Sequence, residues 1–191
     1  MTQNMPNSVS IRLMSGGHAF SKRDIESIKA AGNGACIEVI TTKSVLRPAE
    51  GFVPASARQD LEAVGIAVSH DECVVYSAEC NGRVAVMAIC REFVDAIAKL
   101  GVEVSYTSPL AVGDDIAEGT YIALYGDVMY IRVYSQGLRF AEAVSADNDA
   151  DIVYILESLN RVYNIYTMHA RAIGDVKRLT KVCQKYTKLK F

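Results

Sequence analysis

The chain has 191 residues, half of them hydrophobic and 22% charged, with a net charge of −2. That length holds one large domain or two compact lobes with a sizeable core. The near-neutral charge excludes a global pull toward nucleic acid or an anionic membrane.

The opening MTQNMPNSVS lacks a basic start and an apolar h-region, so no secretory signal is expected. The longest clean apolar run, Val84 to Cys90, is far shorter than the ~18–20 residues of a membrane helix. Five cysteines (Cys36, Cys73, Cys80, Cys90 and Cys183) are an odd set without CxxC spacing, which points to a reduced, cytoplasmic protein.

Alternation of Val9, Ile11 and Leu13 predicts a half-buried strand. Ser15-Gly16-Gly17 then supplies a tight turn, and His18 to Ser21 begins a return strand. Lys22 to Ala31 has helical composition and stops at Gly32-Asn33-Gly34. Cys36 to Thr42 is β-branched and apolar, a third strand that Val45-Leu46 extends past a bend. Pro54 opens a helix to about Val64, with Gly65 as its stop.

Strands at Val74 to Glu79 and Arg83 to Cys90 flank the hairpin signal Cys80-Asn81-Gly82. Arg91 to Leu100 is an amphipathic helix ended by Gly101, and Val102 to Tyr106 is a further strand. Ser108 to Glu118 reads as a connection between lobes. Strands follow at Thr120–Tyr125, Val128–Ser135 and Leu138–Ser145, turning at Gly126-Asp127 and Gln136-Gly137.

Asp147-Asn148-Asp149 leads into a helix whose apolar stripe includes Ile152, Leu156 and Leu159. Ile165 to Ala172 reads as a strand. Asp175 to about Lys188 is a closing helix, with Val176, Leu179, Val182 and Cys183 inward.

A strand–glycine turn–strand pattern thus occurs twice, at 8–21 and at 120–144, each followed by helix and strand. This order resembles the ribonuclease-H-like lobe, and two such lobes in tandem resemble the actin-like ATPase superfold. More narrowly, the segments SIRLMSGGHAFS, VITTKSVLRPAEGF, VAVMAICREFVDAI, VSYTSPLA, YIRVYSQGLRFAEAV and DADIVYILESLNRVYNIY resemble an uncharacterised bacterial family with that fold. Type IV pilus assembly proteins of actin-like fold are similar more distantly. The resemblance implies an α/β chain of two lobes, 1–112 and 113–191, the second abbreviated, with a cleft between them.

In that superfold an acid stands at the end of the first strand, before a glycine turn whose N–H groups hold phosphates. Here the corresponding positions are Arg12 or Met14 ahead of Gly16-Gly17, and Ala123 and Leu124 ahead of Gly126-Asp127. No carboxylate precedes either turn, and a metal-dependent nuclease fails on the same ground. Gly16, Gly17, Gly126 and Asp127 remain the candidate phosphate-turn residues beside the simpler reading that both turns are hairpins. No cofactor is predicted. ATP with Mg²⁺ is the alternative, drawing ligands from Asp127, Asp114 or Asp115.

Other clusters weigh toward structure. Asp147-Asn148-Asp149-Ala150-Asp151 opens like a calcium loop but has Ile152 and Ser158 where Gly and Glu are needed, so helix capping is the better reading. His70-Asp71-Glu72-Cys73 lacks a second ligand pair at zinc-like spacing and reads as a surface loop. From Arg171 onward seven Lys or Arg face one acid, Asp175; nucleic acid or anionic lipid is conceivable there, and a solvated face is preferred.

Tyrosines are dense in the second half (Tyr121, Tyr125, Tyr130, Tyr134, Tyr154, Tyr163, Tyr166), some of them suited to bridging lobes or a partner subunit. The sequence therefore points to a non-catalytic interaction or scaffold protein. It has a protein partner or self-associates, and it has neither a membrane span nor a nucleic-acid role.

Overall fold

A computed structural model describes residues 11–14, 22–31, 34–113 and 115–191. The chain divides into two compact units, 1–112 and 113–191. Among the described residues no helix is long and apolar enough to cross a membrane.

The first unit begins with β1 (Ile11–Met14), α1 (Lys22–Ala31) and β2 (Ala35–Ile40). β1 and β2 pair in parallel, Ile11 opposite Ile37, so the segment read as a third strand is a direct neighbour of the first. Parallel strands need a long crossover, and the α1 segment provides it. The expected return strand at 18–21 lies outside the described residues.

β2 stops at Ile40, where Thr41 Oγ1 accepts the Lys43 backbone N–H at 3.0 Å and turns the chain. Val45 and Leu46 consequently do not extend β2. They belong to β3 (Ser44–Pro48), in a different sheet. The helix expected at 54–64 is a short 3-10 turn, Pro54–Ser56, followed by α2 (Ala57–Ala63).

β4 (Glu72–Tyr76) and β5 (Arg83–Cys90) then form an antiparallel sheet with β3 in the order β3-β5-β4. The Asn81-Gly82 turn between β4 and β5 has φ of 51° and 71°, the left-handed pair that a tight hairpin requires. β5 is buried on both faces, which accounts for its unbroken apolar run. Ala85, Met87 and Ile89 join a core with Ile28, Ile37 and Val39, together with Phe93 and Ile97 of α3 (Arg91–Ala98). Val86 and Ala88 meet Ala57 and Leu61 of α2 on the other side.

β6 (Val104–Thr107) pairs in parallel with β2, completing the order β1-β2-β6. The two three-stranded sheets meet where Ser77, just past β4, bridges to Tyr106. Buried serines line this seam. Ser77 Oγ accepts the Ala85 N–H at 2.9 Å, and the Ser44 and Ser108 hydroxyls lie 3.2 Å apart.

The second unit follows chain order more closely. β7 (Glu118–Tyr125), β8 (Val128–Ser135) and β9 (Leu138–Ser145) form an antiparallel meander. α4 (Asp149–Tyr163) then carries the chain to β10 (Ala170–Gly174), which pairs in parallel with β7 and gives the order β10-β7-β8-β9. α5 (Val176–Tyr186) closes the unit.

Ile122, Leu124, Met129, Ile131 and Val133 pack with Ile152, Leu156, Leu179 and Val182 of the helices. At about 25 cal/mol per Å² of apolar area, this burial is the principal stabilising term of the unit. α4 begins with a capping box. Asn148 Oδ1 accepts the Ala150 and Asp151 N–H groups, and Asp151 accepts the Asn148 N–H, which places 147–151 in a helix cap.

The strand expected at 165–172 is instead a 3-10 turn, Ile165–Thr167, and β10 starts later. Asn164 takes the left-handed conformation, and the Asn160 side chain accepts the Tyr166 N–H, so the chain winds one further turn before it extends.

Candidate functional site

The described candidate turn is Gly126-Asp127, which joins β7 to β8. Gly126 has φ of 64°, and the turn closes a Tyr125–Val128 pair, so only two residues lie outside the ladder. Gly16 and Gly17 lie outside the described residues.

Around the second turn the polar groups are committed to holding secondary structure together. The Gly126 carbonyl accepts from Arg178 Nη1 at 3.3 Å, while Arg178 Nε donates to Asp149 Oδ1 at 2.9 Å. The Asp127 carbonyl accepts the Ala146 N–H at 2.7 Å. Asp175 caps α5 by accepting the Arg178 N–H at 2.9 Å, and its own N–H donates to the Leu124 carbonyl at 2.8 Å. Arg178 therefore ties the turn, the start of α4 and the start of α5 together.

The strand end itself is tightly packed. Ala123 and Leu124 are buried and carry no group able to ligate a metal. A Cβ on Gly174 would lie 2.2 Å from the Leu124 carbonyl oxygen, so β10 passes against β7 with no room to spare. A triphosphate needs several free N–H donors and a charge-matched metal. This turn offers a carbonyl already taken by arginine and, at its strand end, no side chain able to ligate Mg²⁺. Among the described residues no group of three or more His, Cys, Asp or Glu is placed to hold a metal.

The remaining candidates sit apart from this turn. Asp114 lies outside the described residues, and Asp115, exposed, accepts from the Tyr134 hydroxyl at 3.1 Å. Of the 70–73 cluster read as a surface loop, Glu72 and Cys73 belong to β4; burial raises the Glu72 carboxyl, yet hydrogen bonds from Lys43 Nζ (2.6 Å) and from Ser69 outweigh it and hold the group below its ordinary value. Glu72 is thus a structural anion that fastens the start of β4 to Lys43.

One residue escaped the sequence reading. Arg132, in the middle of β8, is 4% exposed and stacks its guanidinium 4.7 Å from the Tyr121 ring centroid. Tyr134 lies 5.9 Å from the same guanidinium, and Arg171 approaches Tyr121 with its guanidinium 5.7 Å from the centroid. The signal was present in the strand VMYIRVYS: a lone charge with tyrosines two residues to either side shares their face. Tyr121, Tyr125, Tyr130 and Tyr134 are buried, whereas Tyr154 is 75% exposed.

No protein-family model matches the chain, and no curated protein matches it. Among solved structures it is similar to a protein of Bacteroides thetaiotaomicron with an actin-like ATPase fold and unknown function. The identity is 14% over 81% of this chain, with a TM-score of 0.61. The chain spans 66% of that protein's length, just under two thirds. It also aligns with the cytoplasmic domain of EpsL, an inner membrane component of the type II secretion system of Vibrio cholerae. There the identity is 16% over 86% of this chain and 81% of that one, with a TM-score of 0.46. The fold is accordingly that of the actin-like ATPases, a mixed α/β architecture with several sheets and flanking helices.

Proposed function

We propose that the chain is a cytoplasmic, non-catalytic interaction or scaffold protein on a degenerate actin-like fold, with units 1–112 and 113–191 as its lobes. The observation that carries this reading is the state of the β7–β8 turn. Its strand-end positions are the buried Ala123 and Leu124, and its Gly126 carbonyl is held by Arg178. The five free thiols fit a reducing compartment.

Thermal unfolding with and without saturating ATP and Mg²⁺ tests the reading. A ligand at a hundred times its Kd stabilises by about 2.7 kcal/mol, which for a chain of this size is a rise in Tm of roughly 5–10 °C. The expected outcome is no rise, in the parent and in Asp127→Ala and Asp115→Ala alike. A rise of several degrees that Asp127→Ala abolishes would replace this reading with that of an ATP-binding protein or weak ATPase. Light scattering over a concentration series reports self-association directly.

A further inference from the structure

Arg132 takes no part in capping a helix or closing a turn, yet it is a charge held inside the second unit. The register places it in a row across the sheet. Arg171 of β10 lies opposite Tyr121 of β7, Tyr121 opposite Arg132 of β8, and Arg132 opposite Ala141 of β9. Directly opposite side chains share a face. Both guanidinium groups therefore bear on one phenol ring, at 4.7 Å and 5.7 Å from its centroid.

Burying a guanidinium is costly unless hydrogen bonds and an opposite charge are returned to it. Stacking on Tyr121 and Tyr134 offsets part of that cost. Among the described residues, however, no hydrogen bond or ion pair engages Arg132, and no ion pair engages Arg171. The Asp115 carboxylate accepts from the Tyr134 hydroxyl at 3.1 Å, and Arg171 Nη1 donates to the Tyr121 hydroxyl at 3.4 Å. Among the described residues no fully buried side-chain nitrogen lacks a partner. The 4% of Arg132 that remains exposed therefore lies at the nitrogens of its fork. Gly113 keeps one edge of that fork clear, since a Cβ there would stand 3.2 Å from Nη2.

We propose that Arg132 is the floor of a binding site for a small carboxylic acid. Its fork takes the carboxylate, Arg171 adds a second positive charge from the edge strand, and the apolar body of the ligand lies against Tyr121 and Ala141. Guanidinium and carboxylate match as a bidentate pair. Charge favours a monoanion: two arginines with Asp115 one tyrosine away leave a single net positive charge, which a phosphate dianion would exceed. Size favours a small molecule, because so narrow an opening admits a carboxylate on a slender stem and excludes a folded surface. A few polar groups set among apolar and aromatic side chains are usual at small-molecule sites. This site shares no residue with the β7–β8 turn and stands independently of the scaffold reading.

Thermal unfolding of the full chain at neutral pH tests it, with acetate, butyrate or benzoate at about 20 mM against sodium chloride of equal ionic strength, which removes general screening effects. Inorganic phosphate and a pentaglutamate peptide are the competing arms. At least one small acid should raise the Tm by about 3 °C or more, the shift of a ligand near ten times its Kd. Arg132→Met should abolish the rise. Arg171→Met, at an exposed position, should weaken binding several-fold by calorimetric titration. Circular dichroism reports whether each variant is folded; if Arg132→Met is not, Arg132→Lys, which keeps the charge and loses the fork, should weaken binding at least tenfold. The proposal is overturned if no small acid raises the Tm, if the folded Arg132 variant or Arg171→Met binds like the parent, or if phosphate or the peptide stabilises more than every small acid.

Discussion

In the unit 113–191 the strands β7, β8 and β9 pair in the order in which they are made, and only β10 joins from a distance. In the unit 1–112, β2 and β6 lie side by side with β3, α2, β4, β5 and α3 between them in the chain. The two units also bury their central strands differently. β8 meets helices through Met129, Ile131 and Val133 and turns Tyr130, Arg132 and Tyr134 to the other face, where ring edges and a guanidinium replace simple apolar packing. β5 is apolar on both faces, and the polar work of its unit is done at a seam of small hydroxyls. One unit thus concentrates its specificity in large amphipathic side chains, the other in serines that let two sheets approach.

The sharpest way to break this contrast is at the crowded end of the second unit. Gly174→Ala brings a Cβ to 2.2 Å from the Leu124 carbonyl oxygen at a φ of 76°, and backbone cannot move aside as a side chain would. A loss of more than about 3 kcal/mol is expected, seen as a fall in Tm of roughly 6–12 °C. A loss under about 1 kcal/mol would mean that β10 is not held against β7 as described.

The seam of the first unit gives a smaller effect. Ser77→Ala leaves the Ala85 N–H buried without its hydroxyl acceptor, a cost of about 1–3 kcal/mol. Urea unfolding measures it, and a change below about 0.5 kcal/mol would assign the junction of the two sheets to apolar packing alone.

The smallest effect is confined to alkaline pH. Burial, with neighbouring Cys73 adding to it, pushes the Tyr106 phenol at the same seam up to about 12. A folded-state value above the unfolded value, about 10, contributes stability that is complete below pH ~10 and lost as pH rises through about 12. Tyr106→Phe should therefore flatten the decline of the urea midpoint between pH 10 and 12. Tyr166, also raised by burial and by its bond to Glu157, remains in both proteins and supplies a residual slope. Parallel slopes would show that the Tyr106 phenol reaches water.

The same contrast explains what could be read in advance. Gly126-Asp127, Gln136-Gly137 and Asn81-Gly82 announced their hairpins because a tight turn forces its own residue types and pairs adjacent segments. Asn148 announced the start of α4 for a similarly local reason. The parallel pairing of β1 with β2 and the assignment of β3 to a second sheet left no such trace, since both depend on segments far apart in sequence. The apolar run at 165–168 misled because Ile165 anchors a turn by burial rather than by strand pairing. For the candidate site, missing acids at Ala123 and Leu124 were legible residue by residue. The pinning of Gly126 by Arg178 was not, because it joins positions 52 apart.

The separation of β2 from β6 has a consequence in time. Ile40 and Val104 are divided by some 60 residues, which a ribosome adding about 5–20 residues per second takes on the order of 3–12 s to make. Throughout that interval the side of β2 that will receive β6 has no strand to pair with, although the β3-β5-β4 sheet can already close. A nascent chain of this protein is then most vulnerable to wrong edge pairing just before residue 107 is free to fold. Slow codons placed shortly before that point would lengthen the exposure, and placed after it would do little.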